Sequence, residues 1–254
     1  MDTNQETRIE AINLRTRRVN GFKILTVFSK EYGLLKLSGS KMGGRSEPFV
    51  HNVYWIKLGP SEIHNIKVTE FKGHFKQIIK DLDKMVYAWQ FAELLEACSH
   101  FYEEKSEIIY NLFYETLSSL EEPNADYLLI SNYFIWKLAD SLGYKPNLRG
   151  CQKEYSDCHL NKTFNYEAWL DLEHGEISCN FCSQRPSSEH VKILPGVYSS
   201  LHTLENISNY EDYFTHASSR NEQAIEFVTK ILQRYLQKHT EKRIKSMSVV
   251  LKKQ

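Results

Sequence analysis

The first 75 residues follow the two-residue period of strands. Glu10-Ala-Ile-Asn-Leu-Arg-Thr-Arg17 alternates roughly between apolar and polar positions. Phe22 to Phe28 is a second β-rich run, ended by a turn at Tyr32-Gly33. Leu34 to Leu37, Phe49 to Leu58 and Ile63 to Phe71 follow, the fourth run being stopped by Gly59-Pro60. Short runs broken by Gly and Pro predict a small, closed or nearly closed barrel. The period then changes. Ile78, Leu82, Met85, Trp89, Ala92 and Leu95 recur at spacings of three and four, which predicts one amphipathic helix. Ile108 to Leu120 reads as a second helix, ending at Glu121-Glu-Pro-Asn124. Asn124 is the expected N-cap of a third, which stops near Leu142-Gly143 ahead of Pro146. Residues 150–183 lack helical periodicity. Pro186-Ser-Ser188 signals the start of another helical stretch, and Ile225, Val228, Leu232 and Tyr235 mark the last helix.

Composition fits a folded chain: 41% of its 254 residues are hydrophobic and 13% aromatic. The longest apolar runs fall far short of the roughly 20 residues a membrane helix needs. The polar stretch from Met1 to Glu10 has no apolar core of a secretory signal, so a cytoplasmic protein is expected. The formal net charge of zero hides a partition. Residues 1–80 carry 14 Lys/Arg against 7 Asp/Glu, residues 81–190 carry 8 against 19, and residues 191–254 carry 10 against 6. Such asymmetry points to a polyanion-binding part beside a part with another task.

The basic part is concentrated. Arg15, Arg17, Arg18, Lys23, Lys30, Lys36, Lys41 and Arg45 face a single acid, Glu31, and Phe22, Phe28, Tyr32, Phe49, Tyr54 and Trp55 are interleaved with or follow them. Cations along a groove with aromatic faces hold single-stranded nucleic acid without reading its sequence. Any one of these aromatics is equally a candidate for the barrel core. A second cluster, Arg234, Lys238, Lys242, Arg243 and Lys245, lies near the C-terminus. DNA contact and the preference of helix C-termini for cations explain it equally well.

Four of the five cysteines are Cys151, Cys158, Cys179 and Cys182. Cys179-Asn-Phe-Cys182 is a C-x2-C turn, which sets two thiolates on one side of a tetrahedral Zn²⁺. With Cys151 and Cys158 the set could close a structural zinc site, and His159 and His174 are possible substitutes. Free thiols are the alternative; a disulfide fits the expected compartment least. His174-Gly-Glu176 before the second pair has the letters of a zinc deaminase, but two residues between these elements cannot place them on separate helices. Cys98 reads as a core residue. The chain has no phosphate-binding loop, nucleophile elbow or H-E-x-x-H.

Three blocks resemble one family in its own order. Glu10 to Arg17 with Lys23-Ile-Leu-Thr-Val-Phe-Ser-Lys-Glu-Tyr-Gly-Leu-Leu35 is similar to the opening of the RecO family of bacterial DNA repair proteins. Leu138 to Leu142, Gly143-Tyr-Lys-Pro-Asn-Leu148 and the cysteines after it resemble its zinc segment, and Arg234 to Met247 its closing helix and tail. The resemblance implies an α+β multidomain chain. Its parts would be an OB-fold over 1–78, a helical domain over 79–147 and 187–254, and a zinc-ribbon-like insertion over 148–186. It implies no enzymatic turnover. It implies binding and annealing of single- and double-stranded DNA, contact with the C-terminal tail of single-stranded DNA-binding protein (SSB), and, with RecR, help in loading RecA. Two features depart from the pattern: Glu154 stands where a first C-x2-C knuckle would end, and the loop at Val19-Asn-Gly-Phe22 is short. A sequence-specific zinc-ribbon regulator and a metal-dependent enzyme acting on nucleic acid are the rival readings.

Overall fold

A computed structural model describes residues 6–39, 46–98, 104–148, 151, 168–179, 188–217, 221–240 and 246. Contacts divide the chain into two compact units, Met1–Pro123 and Asn124–Gln254. The change of period near residue 78 marks strand giving way to helix, and the first compact unit continues past it through three helices.

In the first unit β1 (Glu6–Val19), β2 (Phe22–Ser29), β3 (Gly33–Ser38), β4 (Val50–Lys57) and β5 (Ile63–His74) close into a barrel in the order β1-β2-β3-β5-β4. All neighbours are antiparallel except β3 and β5, whose parallel seam joins Lys36, Leu37 and Ser38 to Ile63, His64 and Asn65. Gly39 lies beside that seam; a Cβ there would come within 3.1 Å of the Ile66 Cβ. Strand alternation sends Ile9, Ala11, Leu25, Val27, Leu37, Tyr54 and Ile56 inward as one apolar cluster. The Tyr54 hydroxyl donates to Asn13 Oδ1 at 2.6 Å and accepts from Asn52 Nδ2 at 2.8 Å, which links three polar side chains within the interior. Of the interleaved aromatics, Phe28, Phe49 and Tyr54 are core, whereas Phe22 and Tyr32 are exposed.

Helices α1 (Lys76–Lys80), α2 (Leu82–Ala97) and α3 (Ser106–Glu121) complete this unit. The stretch expected as one helix from Ile78 to Leu95 is broken at Asp81. Its extended backbone stops α1, and its carboxylate caps α2 by accepting from Asp83 and Lys84 N–H. Phe28 meets Phe113 of α3 edge-on at 6.4 Å, and Phe49 meets Trp89 of α2 at 5.4 Å. Lys84 is buried and its ammonium donates to the carbonyls of Glu121 and Glu122 at the end of α3.

The second unit holds α4 (Tyr127–Leu142), β6 (Ala168–Asp171), β7 (Ile177–Cys179), β8 (His190–Ile193), α5 (Pro195–Asn206), α6 (Tyr210–Ala217) and α7 (Glu222–His239). The N-cap of α4 is Asp126, not Asn124: its carboxylate accepts from Leu128 and Leu129 N–H. Gly143 ends the helix at φ 83°, as its position before Pro146 predicts. After Pro186 comes strand β8, not a helix; α5 begins at Pro195, where the fixed φ of proline suits a first turn. β8 and β7 flank β6 in a three-stranded antiparallel sheet. Among the described residues no helix is long and apolar enough to cross a membrane.

Candidate nucleic-acid interface and thiol segment

The basic strands form a hairpin whose register fixes what each side chain can do. β1 and β2 pair as Arg15 with Thr26, Arg17 with Ile24, Arg18 with Lys23 and Val19 with Phe22. Only Asn20 and Gly21 lie between the strands, at φ 49° and 80°, the left-handed pair that closes a tight two-residue hairpin turn. Arg17 therefore shares a face with Val19 and Phe22, and Arg18 shares the other with Lys23.

The eight cations of the basic segment are not equally available. Arg15 is paired with Glu96 of α2 at 2.6 Å, Lys30 with Glu107 of α3 at 3.2 Å, and Lys36 with Glu62 at 2.9 Å. The Lys23 ammonium donates to the Ser46 hydroxyl. Arg17 and Arg18 are exposed, and among the described residues neither has an ion-pair partner. Lys41 and Arg45 lie outside the described residues, as do Lys242, Arg243 and Lys245 of the C-terminal cluster. Lys238 is bonded to Glu189 beside β8, which raises the lysine pKa and lowers that of the carboxyl. Of the six described cations in the basic segment, only Arg17 and Arg18 lack a partner among the described residues.

Sequence reasoning treated the acidic helical region as separate from the basic strands. Glu96 and Glu107 instead fold against those strands and neutralise two of their cations. One feature escaped the sequence. Arg8 lies opposite Trp55, and Trp55 opposite Val68, in a row across β1, β4 and β5. Val68 is exposed and Trp55 half-buried. Strand pairing creates this row from three segments far apart in sequence, so no local pattern announces it.

Of the four candidate metal ligands, Cys158 and Cys182 lie outside the described residues. Cys151 and Cys179 are buried thiols. A parallel bridge joins Asn147 to Glu176, with Asn147 N–H donating to Gly175 O at 2.8 Å. The bridge is parallel, and in sequence Cys151 stands four residues after Asn147 and Cys179 three after Glu176. His174 sits instead in the β6–β7 turn, where its Nδ1 is 2.8 Å from Asp171 Oδ2. Cys179 pairs with Ala168 at the open end of that hairpin, which separates the two and removes His174 as a substitute ligand. Beside the turn, Asp171 N–H donates to the Glu176 carbonyl at 2.9 Å. His159 is outside the described residues. Cys98 is fully buried, as expected of a core thiol. Among the described residues no three His, Cys, Asp or Glu side chains gather as a metal site.

The second unit also has an apolar cavity of about 360 Å³ between the first turns of α5 and α7, lined by Leu194, Gly196, Val197, Asn221, Ala224 and Phe227.

The family described as Recombination protein O C terminal matches residues 79–248. The chain is 26% identical over 247 residues to a DNA repair protein RecO of Pelotomaculum thermopropionicum, covering 94% of this chain and 91% of that one. A DNA repair protein RecO of Desulforamulus reducens is 24% identical with the same coverage. One of Exiguobacterium is 27% identical over 138 residues, 51% of this chain and 53% of that one. The family match over residues 79–248, with relatives named DNA repair protein RecO that cover 94% of the chain, marks a DNA repair and recombination protein. The chain belongs to the RecO family.

Proposed function

We propose that this chain is a recombination mediator that binds single- and double-stranded DNA and anneals complementary strands. With RecR it helps RecA load onto single strands coated by SSB. One observation carries the reading: a closed barrel of order β1-β2-β3-β5-β4 whose first hairpin carries Arg17 and Arg18, without ion-pair partners among the described residues, in a RecO-family chain. We take the barrel as an OB-fold, in which the loop between the first two strands is a usual contact for oligonucleotides. Backbone phosphates are the targets of the arginines, and no base sequence is read. The C-terminal cations supply further phosphate contacts. No catalytic step is assigned.

Neutralising about six phosphates would cost roughly 10³-fold in affinity between low and moderate salt. The decisive experiment is annealing of complementary strands precoated with the cognate SSB. Annealing with steep salt dependence and no preference among duplex sequences is expected. Failure to anneal, or a shallow salt slope, would remove this reading.

Two further assignments belong to it. Cys151, Cys158, Cys179 and Cys182 hold a structural Zn²⁺. The burial of two of these thiols, and the parallel bridge shortly before them in both segments, support that donor set. Bound there, Zn²⁺ would cross-link the segment and supply no reaction chemistry. The SSB tail takes the apolar cavity at α5 and α7, where two helix N-termini would favour a terminal carboxylate and Leu194, Val197 and Phe227 an apolar side chain. Phe227→Glu should abolish capture of the tail peptide while leaving DNA binding intact.

A further inference from the structure

The β1–β2 hairpin ends in an apolar pair that the barrel does not use. Phe22 is 69% exposed and its cross-strand partner Val19 is 47% exposed. The two side chains give an apolar tip to a hairpin whose neighbouring charges are all basic. Three observations indicate what kind of ligand suits it. The two-residue turn at Asn20 and Gly21 leaves no hairpin loop to fold back over the ring, and Val19 is its cross-strand partner. Arg17 lies on the same face of the hairpin, and Arg18 lies one residue away on the other; both are exposed. No acid stands between Arg15 and Lys30 in the sequence, and among the described residues no ion pair neutralises Arg17 or Arg18 at the tip.

We propose that Phe22 is a base-stacking residue: its ring takes the face of one unpaired base of single-stranded DNA, with Val19 beside it and Arg17 and Arg18 on the flanking phosphates. The inference rests on the DNA-binding reading above and adds to it a discrimination. Duplex DNA keeps its bases stacked on one another and offers the ring no face, so Phe22 favours single strands while the arginines serve both forms.

The test uses the full chain and an oligothymidylate carrying one 2-aminopurine. Wild type should change the probe's fluorescence on binding. Phe22→Ala should lose that change and bind single strands about 10-fold more weakly, with duplex affinity altered by less than about twofold. Phe22→Tyr should keep both properties. Arg17→Gln with Arg18→Gln should weaken both forms of DNA yet retain the fluorescence change at saturation. Thermal melting of each variant checks the fold. Equal losses on single strands and duplex in Phe22→Ala, or no loss at all, would overturn the stacking role while leaving DNA binding intact. A wild-type protein that bound neither form of DNA would overturn the underlying reading and this one with it.

Discussion

Arg15 and Glu96 form a 2.6 Å ion pair that fastens strand β1 to helix α2. The arginine is one-third exposed and Glu96 less so, so the pair is worth on the order of 1 kcal/mol. It also withholds from DNA a cation that the sequence offers. Arg15→Gln should leave the salt dependence of single-strand binding unchanged, whereas Arg17→Gln should lower its slope by about 0.7. Glu96→Gln should steepen it. Equal slopes in the two arginine variants would mean that the pair opens on DNA.

Tyr54 serves the barrel interior rather than a ligand. Its hydroxyl joins Asn13 and Asn52, and burial pushes its pKa far above the ordinary tyrosine value. Tyr54→Phe leaves an acceptor on Asn13 and a donor on Asn52 with no hydroxyl between them. A loss of about 2 kcal/mol in urea unfolding is expected, with DNA affinity unchanged once the protein is folded.

Lys84 closes the end of α3 from within. Its charge is satisfied by two carbonyls, and Glu121 in turn accepts from Gln77 and Ile78 N–H at the start of α1. Lys84→Met keeps the stem but exposes neither carbonyl to water. It should cost about 2 kcal/mol in chemical denaturation, because hydrogen bonds to a charged group are lost. An unchanged midpoint would show that water replaces the ammonium.

Much of this architecture is legible in the chain because alternation and turn residues act locally. The five strand runs, Gly143 as a helix end and the last helix need only near neighbours. Asp81 is different: the apolar spacing from Ile78 to Leu95 passes over it without interruption, and only its capping bonds reveal the break. The same limit applies to the DNA site. Cations are visible as letters, but whether Lys30 or Arg17 is available depends on which glutamates pack nearby, and Glu107 is 77 residues from Lys30. The exposure of Phe22 against the burial of Phe28 follows from where the hairpin outruns the barrel, which strand alternation alone does not encode.

Two histidines of the second unit have pKa values shifted in opposite directions. The hydrogen bond and charge of Asp171 raise the His174 pKa above 6.5, while burial lowers that of His239, which stacks on Tyr144 at 5.0 Å. The stabilising contribution of His174 is present below 6.5 and is lost as pH rises through its raised pKa. That of His239 is present above 6.5 and is lost as pH falls through its lowered pKa. Imidazole NMR titrations should place the two midpoints on opposite sides of 6.5. His174→Ala should weaken the β6–β7 turn at pH 6 more than at pH 8.

Metal analysis of protein purified under reducing conditions should find about one zinc per chain, and Cys179→Ser should remove most of it. Chelation should lower the melting temperature of the second unit and spare the β1–β5 barrel. Full retention of stability after chelation, with no metal found, would leave the cysteines as core thiols.

The short parallel seam between β3 and β5 is the slightest join of the barrel. Lys36 to Ser38 meet Ile63 to Asn65 over three paired residues, whereas every other join pairs at least six. The same edge should be the first to part when the barrel breathes, with the exposed Lys36–Glu62 pair as its light clasp.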